Sequence, residues 1–265
     1  MRVSVLQPDP GLLEQINRLN WLKHHAREQA KAGADVLILP ESFLSGYNFD
    51  QALHGKAEPK DGNFASQVRN LAHELGLAFV YGYPELDGGR VYNSAIFIDD
   101  IGTQLANHRK VVLRDEIEPN WFETGDANTL FRYRAVSIAL MICYECEFPE
   151  AVRGAGDSVA GLVLVLTASG WQQVPRLVVL ARAYENSVFM VYANYGGVEN
   201  GHEFAGQSCI VDPYGNDLAC VGPSEGSISA KLNLGLVAEA RTRLPYLRDH
   251  RKIPVQTSQN LENSL

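Results

Sequence analysis

Residues 136–150 read Val-Ser-Ile-Ala-Leu-Met-Ile-Cys-Tyr-Glu-Cys-Glu-Phe-Pro-Glu. Val136–Ile142 has the apolar character of a buried strand, and a helix is predicted to start near Pro149. Cys143 therefore falls at the carboxyl end of a strand, just before the turn into a helix. Ligand and catalytic groups of α/β sheets gather at that edge. The same alternation runs outward in both directions. Val3–Leu6 reads as a strand, and Leu12–Lys31 as a helix in which Leu13, Ile16, Leu19, Leu22 and Ala26 recur at helical spacing. Gly33 closes that helix, and the continuous apolar run Asp35–Pro40 suits a strand buried on both faces. Further strands are predicted at Ala78–Tyr83, Val91–Asp99, Gly161–Thr167, Val188–Asn194 and Ser208–Val211. Helices are predicted over Phe64–Leu75, closed by Gly76, over Pro149–Ala155 and over Arg176–Ser187. Strands alternating with helices indicate an α/β architecture. No linker, compositional shift or repeat divides the chain, so one domain is expected over residues 1–265, with Arg241–Leu265 as an extended tail.

Composition narrows the function classes. The chain has 265 residues, 31 acidic against 23 basic, and a formal charge of −8. It lacks the basic face that nucleic-acid binding needs, so no nucleic-acid partner is expected. Hydrophobic residues make up 46% and charged residues 20%, the balance of a chain that buries a core. The longest apolar runs, such as Gly161–Ala168, fall far short of the ~20 residues a membrane helix requires. The first residues turn polar too quickly for a signal peptide, so a cytoplasmic, membrane-free protein is expected. Its four cysteines, Cys143, Cys146, Cys209 and Cys220, should then be reduced.

Three chemistries compete for Cys143. The plainest is a packing thiol that behaves as a small hydrophobe. A redox or zinc pair with Cys146 is disfavoured. Glu145 and Glu147 would raise the thiol pKa, and Cys209 and Cys220 lack the spacing of a second ligand pair. Neither metal nor cofactor is therefore expected. The third is a catalytic nucleophile, which needs a partner base. Of seven histidines only His108 and His202 fall near strand ends, and no motif ties either to Cys143. A carboxylate can serve instead. Glu41 follows the strand ending at Pro40, and Lys110 follows His108-Arg109.

Taken together, these segments resemble the nitrilase superfamily of carbon–nitrogen hydrolases. The matching motifs are Leu39-Pro40-Glu41 followed by Ser45-Gly46-Tyr47, then His108-Arg109-Lys110, and then Cys143-Tyr144-Glu145 leading to Phe148-Pro149-Glu150. Ala181–Asn186, Asn194 and Phe204–Gly215 extend the match to about residue 235. The resemblance implies a four-layer α-β-β-α sandwich and a homodimer through the helices after Cys143 and around Arg176–Asn186. It implies further that Cys143 attacks an amide carbonyl, Glu41 acts as base, and Lys110 with the backbone N–H of Tyr144 holds the oxyanion. Glu118, in Glu116-Ile-Glu118-Pro, matches a second glutamate that positions the substrate, and Tyr47 and Trp171 would line the acyl pocket.

Departures from the pattern narrow the substrate. Carbamoylases and omega-amidases tend to carry arginine three or four positions after the cysteine, where this chain has Cys146 and Glu147. Nitrile-hydrolysing members usually show Cys-Trp-Glu. The expected partner is therefore a small amide without a carboxylate to capture, the alternatives being nitrile or carbamoyl hydrolysis at the same site or a non-catalytic metabolite-binding module. Glu145, Glu147 and Glu150 are expected to crowd the nucleophile, and Asp115, Glu116, Glu118 and Glu123 the loop after Lys110. Cys146, Cys209 and Cys220 are expected to be packing thiols.

Overall fold

The computed structural model describes residues 1–11, 15–47, 52–114, 117–199 and 201–254. Two six-stranded sheets carry the fold. The first takes β1 (Arg2–Gln7), β2 (Val36–Ile38), β3 (Ala78–Asp87), β4 (Arg90–Ile98) and β5 (Gln104–Arg109). The second takes β6 (Thr129–Tyr133), β7 (Val136–Ile142), β8 (Leu162–Leu166) and β9 (Phe189–Ala193). A ribbon of β10 (Gly196–Glu199) and β11 (His202–Ala205) follows. The second sheet is then completed by β12 (Cys209–Val211) and β13 (Asp217–Cys220), and the first by β14 (Gly226–Lys231). The orders are β14-β1-β2-β3-β4-β5 and β13-β12-β9-β8-β7-β6. In each sheet three central strands are parallel, β1-β2-β3 and β7-β8-β9, and the flanking strands are antiparallel.

The period-two alternation of strand side chains produces the layers. In β8, Leu162, Leu164 and Leu166 join Val36 and Ile38 of β2 in one cluster between the sheets. Val163 and Val165 of the same strand point the other way, into a cluster with Val152, Ala155, Val179 and Ala183. Those four belong to α4 (Pro149–Asp157) and α5 (Val179–Asn186). On the first sheet, Leu37 and Leu39 meet Leu19, Leu22 and Ala26 of α1 (Gln15–Lys31) and Phe64, Val68 and Leu71 of α3 (Asn63–Leu75). Between them lies one helical turn, α2 (Leu53–Lys56). The result is the expected α-β-β-α sandwich. Among the described residues no helix is long and apolar enough to cross a membrane.

Several boundaries differ from the sequence reading. The strand expected to stop at Tyr83 runs to Asp87, where Gly88 and Gly89, both at positive φ, turn it into β4. Strands β5, β6, β13 and β14 are short or half-exposed and escape an apolar-run criterion. The helix expected over Arg176–Ser187 is a wide π turn at Val174–Val178 followed by α5. The expected extended tail is also corrected. Arg241–Arg243 end α6 (Gly235–Arg243), and Tyr246–Asp249 form α7. Residues 255–265, and Leu13 of the first helix pattern, lie outside the described residues.

Candidate functional site

The two sheets meet at their strand ends to assemble the site. The chain leaving β2 stays beside β3: the Leu39 N–H donates to Val80 O at 2.9 Å and the Gly82 N–H to Pro40 O at 3.1 Å. Glu41 thus emerges at the strand's carboxyl end, fully buried. Gly82 is required there, because a Cβ at that position would lie 2.7 Å from Glu41 Cα. Lys110 follows β5, and its N–H donates to Asn93 O at 2.8 Å, which prolongs the ladder with β4. Cys143 follows β7 at φ 51°, in the left-handed region that costs a non-glycine residue energy. It begins a 3₁₀ turn, Cys143–Glu147, that leads into α4.

Four side chains converge in this buried space. Lys110 Nζ donates to Glu41 Oε1 at 2.9 Å and to Glu118 Oε1 at 2.8 Å, and all three residues are at most 1% exposed. Asn93 Nδ2 donates to Glu41 Oε1 at 2.7 Å, and the Ala168 N–H, in the turn after β8, donates to Glu41 Oε2 at 2.9 Å. Glu41 is therefore held from both sheets. Glu118 accepts the Tyr47 hydroxyl at 3.2 Å and the Arg114 N–H at 2.5 Å. Cys143, 3% exposed, lies within electrostatic reach of Glu41, Lys110 and Glu118.

Burial and two carboxylates facing one ammonium set the protonation. Burial, then the Glu41 charge, push the Cys143 thiol well above its ordinary value, against the opposing pull of Lys110. Burial also raises Glu41, with Lys110 pulling against it and Glu118 adding to the rise. Burial alone would lower Lys110, but Glu41, Cys143 and Glu118 hold it above its usual range. The arrangement is a neutral thiol beside a hydrogen-bonded carboxylate and a permanent cation. It can attack a carbonyl only if the carboxylate takes the proton as the bond forms.

The remaining expected residues are distributed unequally. Tyr47 belongs to the cluster, its ring edge-on to Phe204 at 6.2 Å and joined to Ala168 and Tyr195 in a small apolar group. The Tyr144 ring packs on Phe148 at 4.8 Å, and its backbone follows Cys143 directly. Trp171 is 59% exposed, so the structure puts its ring on the outside rather than in the cluster. Neither histidine pairs with Cys143. His108 Nε2 lies 2.9 Å from Glu145 Oε2, and His202 is exposed beside the rings of Tyr47 and Phe204.

The expected crowd of carboxylates is also corrected. Glu145 points away from the nucleophile, accepting the N–H groups of Ile142 at 2.6 Å and Val111 at 2.7 Å. Glu150 and Glu123 are exposed, and Asp115 and Glu116 lie outside the described residues. Among the described residues Lys110 bonds directly to Glu41 and Glu118, while Glu147, half-buried, feels the Lys110 charge without a hydrogen bond to it. Cys146 and Cys209 are buried thiols as expected, whereas Cys220 is exposed.

The sequence reading does not single out Asn93, Ala168 or the function of Asn194. Asn93 carries a signal, since an amide in a strand that is buried along most of its length needs a partner. Asn194 brackets the turn after β8: its Oδ1 accepts the Ser169 N–H at 3.0 Å and its Nδ2 donates to Ser169 O at 2.9 Å. That bracket aims the neighbouring Ala168 N–H at Glu41.

A doubled α/β sandwich with a buried cysteine, lysine and glutamate at its strand ends, and a second glutamate from the loop after the lysine, defines a class of hydrolases acting on carbon–nitrogen bonds. The chain belongs to the carbon-nitrogen hydrolase family, whose model matches residues 2–242. It is 37% identical over 256 residues to the hydrolase in the pqqF 5′ region of Pseudomonas protegens, covering 95% of this chain and 89% of that one. An (R)-stereoselective amidase of a Pseudomonas species is 34% identical over 220 residues, 82% of this chain and 80% of that one. Among solved structures, the NitN amidase from Nesterenkonia superposes with a TM-score of 0.84 at 29% identity, with both chains fully covered. A mutant of the Nesterenkonia sp. AN1 amidase, with acrylamide added at its active site cysteine, gives 0.82 at 30% identity over 92% of this chain and 98% of that one.

Proposed function

We propose that the protein is an amidase that hydrolyses short, carboxylate-free amides to the acid and ammonia through a thioester on Cys143. The observation that carries the reading is the buried Lys110 ammonium bridging Glu41 and Glu118 beside Cys143. The amidase names of the relatives and the cysteine adduct of the Nesterenkonia enzyme support it. As the Cys143 sulfur attacks the carbonyl carbon, its proton passes to Glu41. Lys110 and the Tyr144 N–H hold the oxyanion, donors of a kind typically worth several kcal/mol of barrier. When the tetrahedral species collapses, the C–N bond breaks and Glu41 returns the proton to the departing ammonia. Glu41 then takes a proton from water, whose oxygen attacks the thioester. The C–S bond breaks, the acid leaves, and the proton returns to sulfur. Glu118, anchored by Lys110, Tyr47 and the Arg114 N–H, orients the amide.

The test measures ammonia released from a panel of aliphatic, aromatic and amino-acid amides, together with nitriles and carbamoyl compounds. Wild type should turn over amides best. Cys143→Ala should release none while keeping its circular dichroism spectrum. Retained turnover in that variant would remove the nucleophile assignment, and preference for a nitrile would remove the amidase one. The same reading includes a cytoplasmic homodimer. It is supported by four free cysteines, suited to a reducing compartment, and by the exposed side chains of Leu177 in the π turn and Tyr184 in α5.

A further inference from the structure

Behind the loop that joins Glu41 to Tyr47 lies an ion pair with no part in the chemistry just described. Arg18, on α1, is fully buried, and Glu199, at the end of β10, is 5% exposed. Arg18 donates to Glu199 Oε1 at 3.4 Å, to Phe43 O at 3.3 Å and to Pro10 O at 3.4 Å. Glu199 Oε2 accepts the Tyr47 N–H at 3.1 Å. Gly46, at φ +81°, lets the loop pass: a Cβ there would lie 2.7 Å from Glu199 Oε1 and 2.8 Å from an Arg18 nitrogen. Arg18 also hydrogen-bonds Tyr195, whose hydroxyl donates to Glu41 O at 3.0 Å. The pair therefore grips the loop at Phe43, Gly46 and Tyr47, and through Tyr195 at Glu41 itself. Both ends of the gripped loop enter the site: Glu41 meets Lys110, and the Tyr47 hydroxyl meets Glu118.

Burying two charges is costly, and apolar side chains of equal volume usually stabilise a protein as well or better. What an ion pair adds is directional: fixed donors and an acceptor that accept one backbone register and reject others. We propose that Arg18 and Glu199 are positioning residues that set the 41–47 loop so that Tyr47 orients Glu118 and Glu41 faces Lys110. The proposal rests on the amidase reading for its substrate.

A double-mutant cycle of Glu199→Gln and Tyr47→Phe tests it, with kcat, KM and melting temperature measured on an amide that wild type hydrolyses. Glu199→Gln should lower kcat by about tenfold or more, because small misplacements in a site are expensive, and should leave KM nearly unchanged. Tyr47→Phe in the Glu199→Gln background should cost clearly less than in wild type, since both act along one route. Unchanged kcat with a lowered melting temperature, or fully additive losses, would overturn the proposal. If Glu199→Gln does not fold, Glu199→Asp carries the test, because it keeps the charge but withdraws the carboxylate from the Tyr47 N–H. Iodoacetamide labelling of Cys143 gives a second readout, independent of turnover. It should be slower in the Glu199 variant, and equal rates would overturn the clamp. Should wild type hydrolyse no amide at all, the amidase reading fails while the labelling comparison still decides the clamp.

Discussion

At the scale of single residues, the contrast between Glu41 and Glu145 shows how environment divides two buried glutamates. Glu41 is raised, because burial and Glu118 outweigh its partners. Glu145 is lowered from 4.5: burial pushes it up, but His108 and the N–H groups of Val111 and Ile142 more than offset that. A carboxylate depressed in the folded state adds stability above its unfolded pKa. That stability is lost as pH falls through the lower, folded value. Glu145→Gln should therefore be less stable than wild type at about pH 7, and the gap should narrow toward about pH 3. Denaturant midpoints across that range check this, and a constant gap would remove the ionic role of Glu145. Glu145 lies two positions after Cys143, yet the 3₁₀ turn aims its side chain at the backbone behind the nucleophile.

At the scale of elements, the site depends on strand ends arriving in register. Pro40-Glu41 is legible because a long apolar run stops abruptly at a charge, and Ile142-Cys143 because a strand-like apolar run ends shortly before a helix start at Pro149. Strand β5 is not, since Gln104-Leu-Ala-Asn-His-Arg109 is half-buried and mixes polar with apolar residues. Lys110 was legible only through the motif around it. The close approach of β3 to the loop at Glu41 gives a prediction. Gly82→Ala should push Glu41 and Ser42 aside and lower kcat/KM at least about tenfold. Gly55→Ala, on α2, where a Cβ meets nothing within 4 Å, should leave it unchanged. Equal effects from the two substitutions would mean that Gly82 does not position Glu41.

At the scale of the whole molecule, the helix layer over the second sheet leaves apolar surface uncovered. Leu177 is 65% exposed and Tyr184, seven positions on, 39% exposed, with the Tyr246 ring of α7 5.7 Å from that of Tyr184. Such a strip suits a second copy of the chain related by a two-fold axis. Sedimentation should give twice the chain mass, and Leu177→Glu with Tyr184→Glu should halve it. A wild-type monomer would exclude the dimer, and a double variant that stays dimeric would place the interface elsewhere.

The sequence alone determined the α/β class and the strand ends at Glu41 and Cys143, because apolar periodicity and abrupt polar stops are local properties of the chain. Helix caps such as Gly76, whose N–H bonds Ala72 O, were legible for the same reason. Only the tertiary structure decided which carboxylates surround Lys110, that Glu145 braces a turn, that His108 serves Glu145, and that Arg18 on a helix face is buried. Each of these depends on partners far apart in the chain, Arg18 on Glu199 and Glu41 on Ala168. Contacts of that separation exist only once the two sheets have closed on each other, so no local pattern records them.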